Sequence, residues 1–123
     1  MRRGRITRGG CVWIGKVERA FSFGERLRGL LGRDSLGPDA ALLIERCGAI
    51  HTVGMRFAID AVFLDRAWRV LQVVPDIPPG RLWVGGGWGA VRTLESEAGL
   101  LDFTGLQPGD TLVWKGPFEK NHE

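Results

Sequence analysis

The chain has 123 residues, 44% hydrophobic and 25% charged, which fits one globular domain burying roughly two-thirds of its unfolded surface and excludes wholesale disorder. No apolar run approaches the ~20 residues of a membrane span. The basic start MRRGRITRGG runs into CVWIGKVERAF, where Gly15, Lys16, Glu18 and Arg19 leave no signal-peptide core, so a cytoplasmic setting is expected.

The formal charge of +3 is unevenly spread: residues 1–33 carry nine Lys/Arg against two acids, and the other ninety carry eight against twelve. A basic arm on an acidic body raises contact with nucleic acid, but four arginines without interleaved aromatics carry little of that signature, and a solubilising tail is the preferred reading. Two cysteines, Cys11 and Cys47, are too few for a disulfide scaffold and fit thiols in a reducing compartment.

In chain order, residues 1–9 read as a disordered basic arm. Cys11–Ile14 and Val17–Phe21 read as short strands separated by Gly15. Ser22-Phe-Gly-Glu25 fits a capping box, and Leu27, Leu30 and Leu31 follow at helical spacing with Gly32 placed as the stop. Strands are expected at Ala41–Glu45, Ala49–Thr52, Ile59–Leu64 and Arg69–Val74, and Pro75–Gly80 is expected as a rigid loop. Leu82–Val84 and Val91–Glu95 flank the glycine-rich Gly85–Gly89, residues 96–104 are a short helix or an irregular loop, and Thr111–Trp114 closes the chain. Residues 117–123, with His122, are expected as a flexible tail after a single β-rich domain at 10–116. The fold class is mostly β: a β-sandwich or partly open barrel of seven or eight short strands with one short accessory α-helix and no alternating βαβ units.

Chemistry concentrates between Cys47 and Asp65, where Cys47, His51, Arg56 and Asp60 interrupt apolar, strand-like sequence. Such groups are costly to bury unless hydrogen-bonded, paired or ligating. Cys47 and His51 stand about 13 Å apart on an extended strand, too far to share a metal unless Gly48 bends the chain. Two good ligands also fall short of the four that zinc prefers, so no metal and no cofactor are expected. The preferred reading of His51 is an imidazole tied into a hydrogen-bond network, and a base role beside Thr52 or Cys47 is the alternative. Asp60 needs a partner, for which Arg56 and Arg28 are the candidates. Glu95 is a second isolated acid, and two such carboxylates suit acid/base chemistry of the glycosidase kind if they converge; Arg–carboxylate pairing is preferred. Gly85–Gly89 lacks the lysine and hydroxyl of a phosphate-binding loop and reads as a mobile flap presenting Trp88, which with Trp83 offers a surface for sugar or peptide.

Four segments, ERLRGLLGR (Glu25–Arg33), IHTVGMRFAIDAVFLD (Ile50–Asp65), Leu94-Glu95 with Ala98-Gly99, and GLQPGD (Gly105–Asp110), together resemble the prokaryotic domain-of-unknown-function family 192 over about residues 10 to 116. The resemblance implies one mostly-β domain with a short helix and no established activity. Many members carry Phe-Trp-Met-Lys-Asn-Thr in place of the IHT segment, which argues against a universal catalytic histidine. Ala58 stands for the family's usual Pro, Ser96-Glu97 for Leu-Pro, and Trp68 for an expected hairpin Gly, whereas Arg28, Asp60 and Glu95 are kept.

Arg28, His51, Arg56, Asp60, Trp88 and Glu95 are therefore the candidate site residues. The preferred function is a small cytoplasmic ligand- or partner-binding module without catalysis. A hydrolase using Asp60 with Glu95 or a Cys47/His51 metal is the alternative, and nucleic-acid contact through the arm is the third reading. The partner expected is a small molecule or another protein, with nucleic acid disfavoured, no membrane, and a monomer or weak dimer.

Overall fold

The computed structural model describes residues 1–116, within which nine strands and one helix form in the order β1 (Arg2–Arg8), β2 (Cys11–Ala20), α1 (Phe23–Arg28), β3 (Ala40–Glu45), β4 (Ala49–Ile50), β5 (Ile59–Leu64), β6 (Val70–Ile77), β7 (Val84–Gly85), β8 (Arg92–Glu97) and β9 (Leu112–Lys115). The sequence's flexible tail at 117–123 lies outside the described residues. Seven strands make one curled sheet in the order β6-β5-β8-β3-β2-β1-β9, and β4 pairs with β7 in a small second sheet. The two ends of the large sheet meet through an Arg69–Thr111 bridge and a Val70 N–H donating to the Asp110 carbonyl at 2.7 Å. The result is the partly open barrel, mostly β, with one short helix.

Several local expectations are corrected. Residues 1–9 are not a disordered arm: Arg2–Arg8 pairs along β2 and β9, because Ile6 buries its side chain completely in the barrel core. Gly15 does not divide two strands. Its amide donates to an Asp39 carboxylate oxygen at 2.7 Å, and any Cβ there would collide with that carboxylate, so β2 runs on unbroken. The capping box forms as read, with the Glu25 amide on Ser22 Oγ at 3.1 Å and the Glu25 carboxylate accepting from the Ser22 amide at 3.2 Å. The helix stops earlier than Gly32, at Gly29, whose φ of 47° suits a residue without Cβ. β2 and β3 are parallel, so β2–α1–β3 is one βαβ unit where none was expected. β6 continues through Pro75, which an edge strand tolerates because an edge proline withholds no ladder bond.

The large sheet has two apolar faces. Leu42, Ile44, Ala61 and Phe63 pack with Leu30, Ile50 and Met55 beneath α1 and the small sheet. Leu43, Val62, Leu64 and Leu94 pack with Ile6, Ile14 and Leu112 inside the curl. Successive strand residues alternate between these faces.

Candidate functional site

The site is built where β3 ends. Arg46 takes a left-handed turn, φ 51°, and the chain doubles back across β8. The Cys47 amide donates to the Val91 carbonyl at 2.9 Å, and Thr93 Oγ1 donates to the Cys47 carbonyl at 2.8 Å. Gly48 lies so close to Ala90 that a Cβ would strike its carbonyl, and its own carbonyl accepts from the Gly86 amide at 3.0 Å. Beyond this contact Cys47 and His51 both line one pocket.

That pocket, about 340 Å³ and open on one side, lies between the end of α1 and the segment 44–51. Arg26, Arg28 and Arg46 line it together with His51, Cys47, an apolar set including Leu31, Ile50 and Met55, and Glu95. Glu95 is 1% exposed on the central strand β8, opposite Leu42 of β3 and Ala61 of β5. Among the described residues its Oε1 has no hydrogen-bond partner. Burial pushes the Glu95 carboxyl up to about 8, so it is predominantly a neutral acid at pH 7, with one O–H to donate. Burial likewise raises the Cys47 thiol above its ordinary range, with the Thr93 side chain and the Arg26 charge pulling the other way and the neighbouring Glu95 adding to the rise. Cys47 Sγ donates to the Ala49 carbonyl at 3.1 Å. A thiol held protonated in this way is a poor nucleophile. None of Arg26, Arg28 and Arg46 has a carboxylate partner within 4 Å among the described residues, so the rim is positive.

Of the residues singled out in the sequence, Arg28, Cys47, His51 and Glu95 come together here. His51 is exposed at the wall and makes no hydrogen bond among the described residues, so the expected network histidine is corrected. Asp60 pairs with neither Arg56 nor Arg28. Its carboxylate is 4% exposed and accepts from the backbone amides of Asp76 at 2.7 Å and Gly99 at 3.1 Å, pinning a β-bulge of β6 and the turn after β8. Arg56 sits on the surface against Asp34 at 2.7 Å, both side chains exposed. Thr52 is wholly buried, donating to the Pro78 carbonyl at 2.7 Å and accepting from the Arg81 amide at 2.9 Å, and is thereby a structural clamp. Trp88 is 99% exposed on another side of the fold, near Arg66, Arg69 and Pro108. The flap beneath it is anchored: Gly86 is buried so tightly on Phe63 that a Cβ has no room. Among the described residues no three His, Cys, Asp or Glu side chains converge as a metal site.

Sequence reading missed a second charged cluster on the sheet. Glu45 accepts from Arg19 Nε at 3.0 Å and from Arg92 Nε at 3.1 Å. Arg92 lies over the Trp68 ring at 4.1 Å, and Arg19 is enclosed by Phe21, Trp68 and Trp114 at 4.6, 5.1 and 5.0 Å. Trp68, at φ 65°, accepts backbone strain and in return covers both guanidinium groups. The signal was present as strand-end charges at Glu45 and Arg92, which are cross-strand partners in the β3–β8 register; Arg19, opposite Leu43, reaches Glu45 only diagonally.

A curled, mostly-β sheet with a basic-rimmed pocket under its short helix defines the class of domain. The chain belongs to the DUF192 family, described as "Uncharacterized ACR", whose model matches residues 5–114. It is 30% identical over 116 residues to a UPF0127 protein of Thermococcus sibiricus, covering 91% of this chain and 74% of that protein. Two crystal structures share its fold. One is a protein of unknown function from Novosphingobium aromaticivorans, with TM-score 0.77, 20% identity, and coverage of 91% of this chain and 84% of that one. The other is a Sinorhizobium meliloti protein provisionally named a transcription regulator, with TM-score 0.75, 21% identity and 92% of each chain covered. Among the described residues no helix is long and apolar enough to cross a membrane.

Proposed function

We propose that this protein is a small cytoplasmic binding module that holds a small molecule, without catalysis, in the pocket between α1 and the segment 44–51. One observation carries the reading: the Glu95 carboxyl is buried in the pocket wall with an oxygen that finds no partner among the described residues. An unmade hydrogen bond of this kind costs about 1–3 kcal/mol, a cost that a bound partner recovers. Against catalysis stand the placement of Asp60 on the other face of the sheet from Glu95 and the suppressed thiolate of Cys47. A cytoplasmic setting accords with two free cysteines, Cys11 exposed and Cys47 half-buried.

Native mass spectrometry of gently purified protein tests this, compared with a Leu31→Trp variant whose larger ring occupies the pocket mouth. The expected result is a small-molecule adduct on the unaltered chain that the variant loses. A clean apo mass, together with no thermal stabilisation by any member of a metabolite library, contradicts it.

A further inference from the structure

The wall chemistry goes further than the existence of a ligand, and the step rests on the binding reading just given. Three guanidinium groups of Arg26, Arg28 and Arg46 line the pocket, and the carboxyl of Glu95 is the acid among the lining residues. From β3 and β5 the groups facing Glu95 are the apolar Leu42 and Ala61, and from the adjoining segment they are Cys47 and His51; along its own strand, Thr93 is spent on the Cys47 carbonyl and Glu97 on the amides of Leu36 and Gly37. No described cation is bonded to Glu95, so the positive rim and the buried acid are two separate polar ends. Between them lie apolar walls including Leu30, Ile50 and Met55. With a water-sized group occupying about 30 Å³, the 340 Å³ pocket suits a ligand of roughly ten non-hydrogen atoms.

We infer that the pocket takes a small organic oxyanion, carboxylate or phosphate, whose head sits among Arg26, Arg28 and Arg46 and whose apolar body carries a neutral hydrogen-bonding group down to Glu95. A cation is repelled by the rim, and a purely apolar molecule leaves both polar ends unmatched. The arginine fork recognises either oxyanion, because both present paired acceptor oxygens.

The test is an amide-shift titration of the full chain at pH 7 with five matched probes: 6-hydroxyhexanoate, 6-hydroxyhexyl phosphate, hexanoate, 1,6-hexanediol and 6-amino-1-hexanol. The expected result is that a hydroxylated anion shifts the amides of residues 29–31 and 46–51 and binds about tenfold or more tightly than the diol, as a charge-assisted contact implies. The better of carboxylate and phosphate identifies the head. Arg28→Gln with Arg46→Gln, both exposed positions, brings that probe to the level of the diol, and the paired Lys variants recover most of the loss. Glu95→Leu removes the preference for 6-hydroxyhexanoate over hexanoate. Equal or tighter binding of the diol or the amine overturns the oxyanion inference and leaves the binding reading intact. If no probe moves the pocket amides at millimolar concentration, the inference is overturned too, and the binding reading is then decided by the native mass spectrum.

Discussion

Asp60 and Glu95 lie on neighbouring strands one step out of register, and that step puts their carboxyls on opposite faces of the sheet. Ala61 is opposite Glu95 and Asp60 is opposite Ser96 on the β5–β8 ladder. Because side chains alternate along a strand, Glu95 shares the face of Leu42 and Phe63, and Asp60 that of Val62 and Leu94. Two acids that look alike in the sequence thus have different work: one clamps backbone, the other lines a pocket.

Asp60→Ala leaves the Asp76 and Gly99 amides without their acceptor. We expect a loss of about 2–4 kcal/mol in urea denaturation, from two charge-assisted bonds and the orphaned donors. Asp60→Asn retains one carbonyl acceptor and costs less. A change within about 0.5 kcal/mol, as at ordinary surface positions, would show that the bulge does not depend on this carboxylate.

Glu45 holds Arg19 and Arg92 together at the ends of β2, β3 and β8. Glu45→Ala strands two partly buried guanidinium groups, and about 3–5 kcal/mol of stability should go with it. Trp68→Gly should cost less, since it removes ring contacts while relieving the positive φ. A larger loss for Trp68→Gly than for Glu45→Ala would reverse the roles assigned to carboxylate and ring.

Much of the fold was legible because its signals are local. Ile59–Leu64 and Ala41–Glu45 read as strands from apolar runs, and all but the first residue, Ala40, of β3 and β5 proves buried. The Ser22–Glu25 capping box is four residues of backbone chemistry and forms as read. The misses are non-local. Arg2–Arg8 reads as an arm because its arginines mask Ile6, whose burial depends on β9 more than a hundred residues away. Pro75 signals a loop unless β6 is known to be an edge. Four of the site's six polar side chains were visible as anomalies: Glu95, His51, Cys47 and Arg28. Arg26 and Arg46 were not, because a surface arginine looks the same whether or not a pocket opens beside it. Asp60's partners were missed because backbone amides carry no sequence signature.

The two cysteines should differ in reactivity. Cys11 is exposed, whereas burial raises the Cys47 thiol. Iodoacetamide near pH 8 should therefore label Cys11 first and Cys47 slowly, with mass spectrometry reading the order. Faster labelling of Cys47 would mean that its thiolate is stabilised, and would reopen a nucleophilic role.

Glu95 also gives stability a pH dependence of definite sign. Its folded value of about 8 lies above the ordinary 4.5, so the folded chain binds more protons than the unfolded one between those limits. Stability from this group is present in full below about 4.5 and is lost as pH rises towards about 8. Denaturation midpoints at pH 6 and pH 8.5 should fall in that order for the unaltered chain, and Glu95→Gln should flatten the slope. A slope unchanged by Glu95→Gln would assign the effect to another group.

The most direct measurement is the urea stability of Glu95→Leu at pH 7. If the carboxyl is retained for a ligand and not for the fold, an apolar side chain of similar size removes an unsatisfied buried group. The expected gain is about 1–3 kcal/mol. A loss of stability of that size would contradict it, and would make Glu95 a member of a structural network.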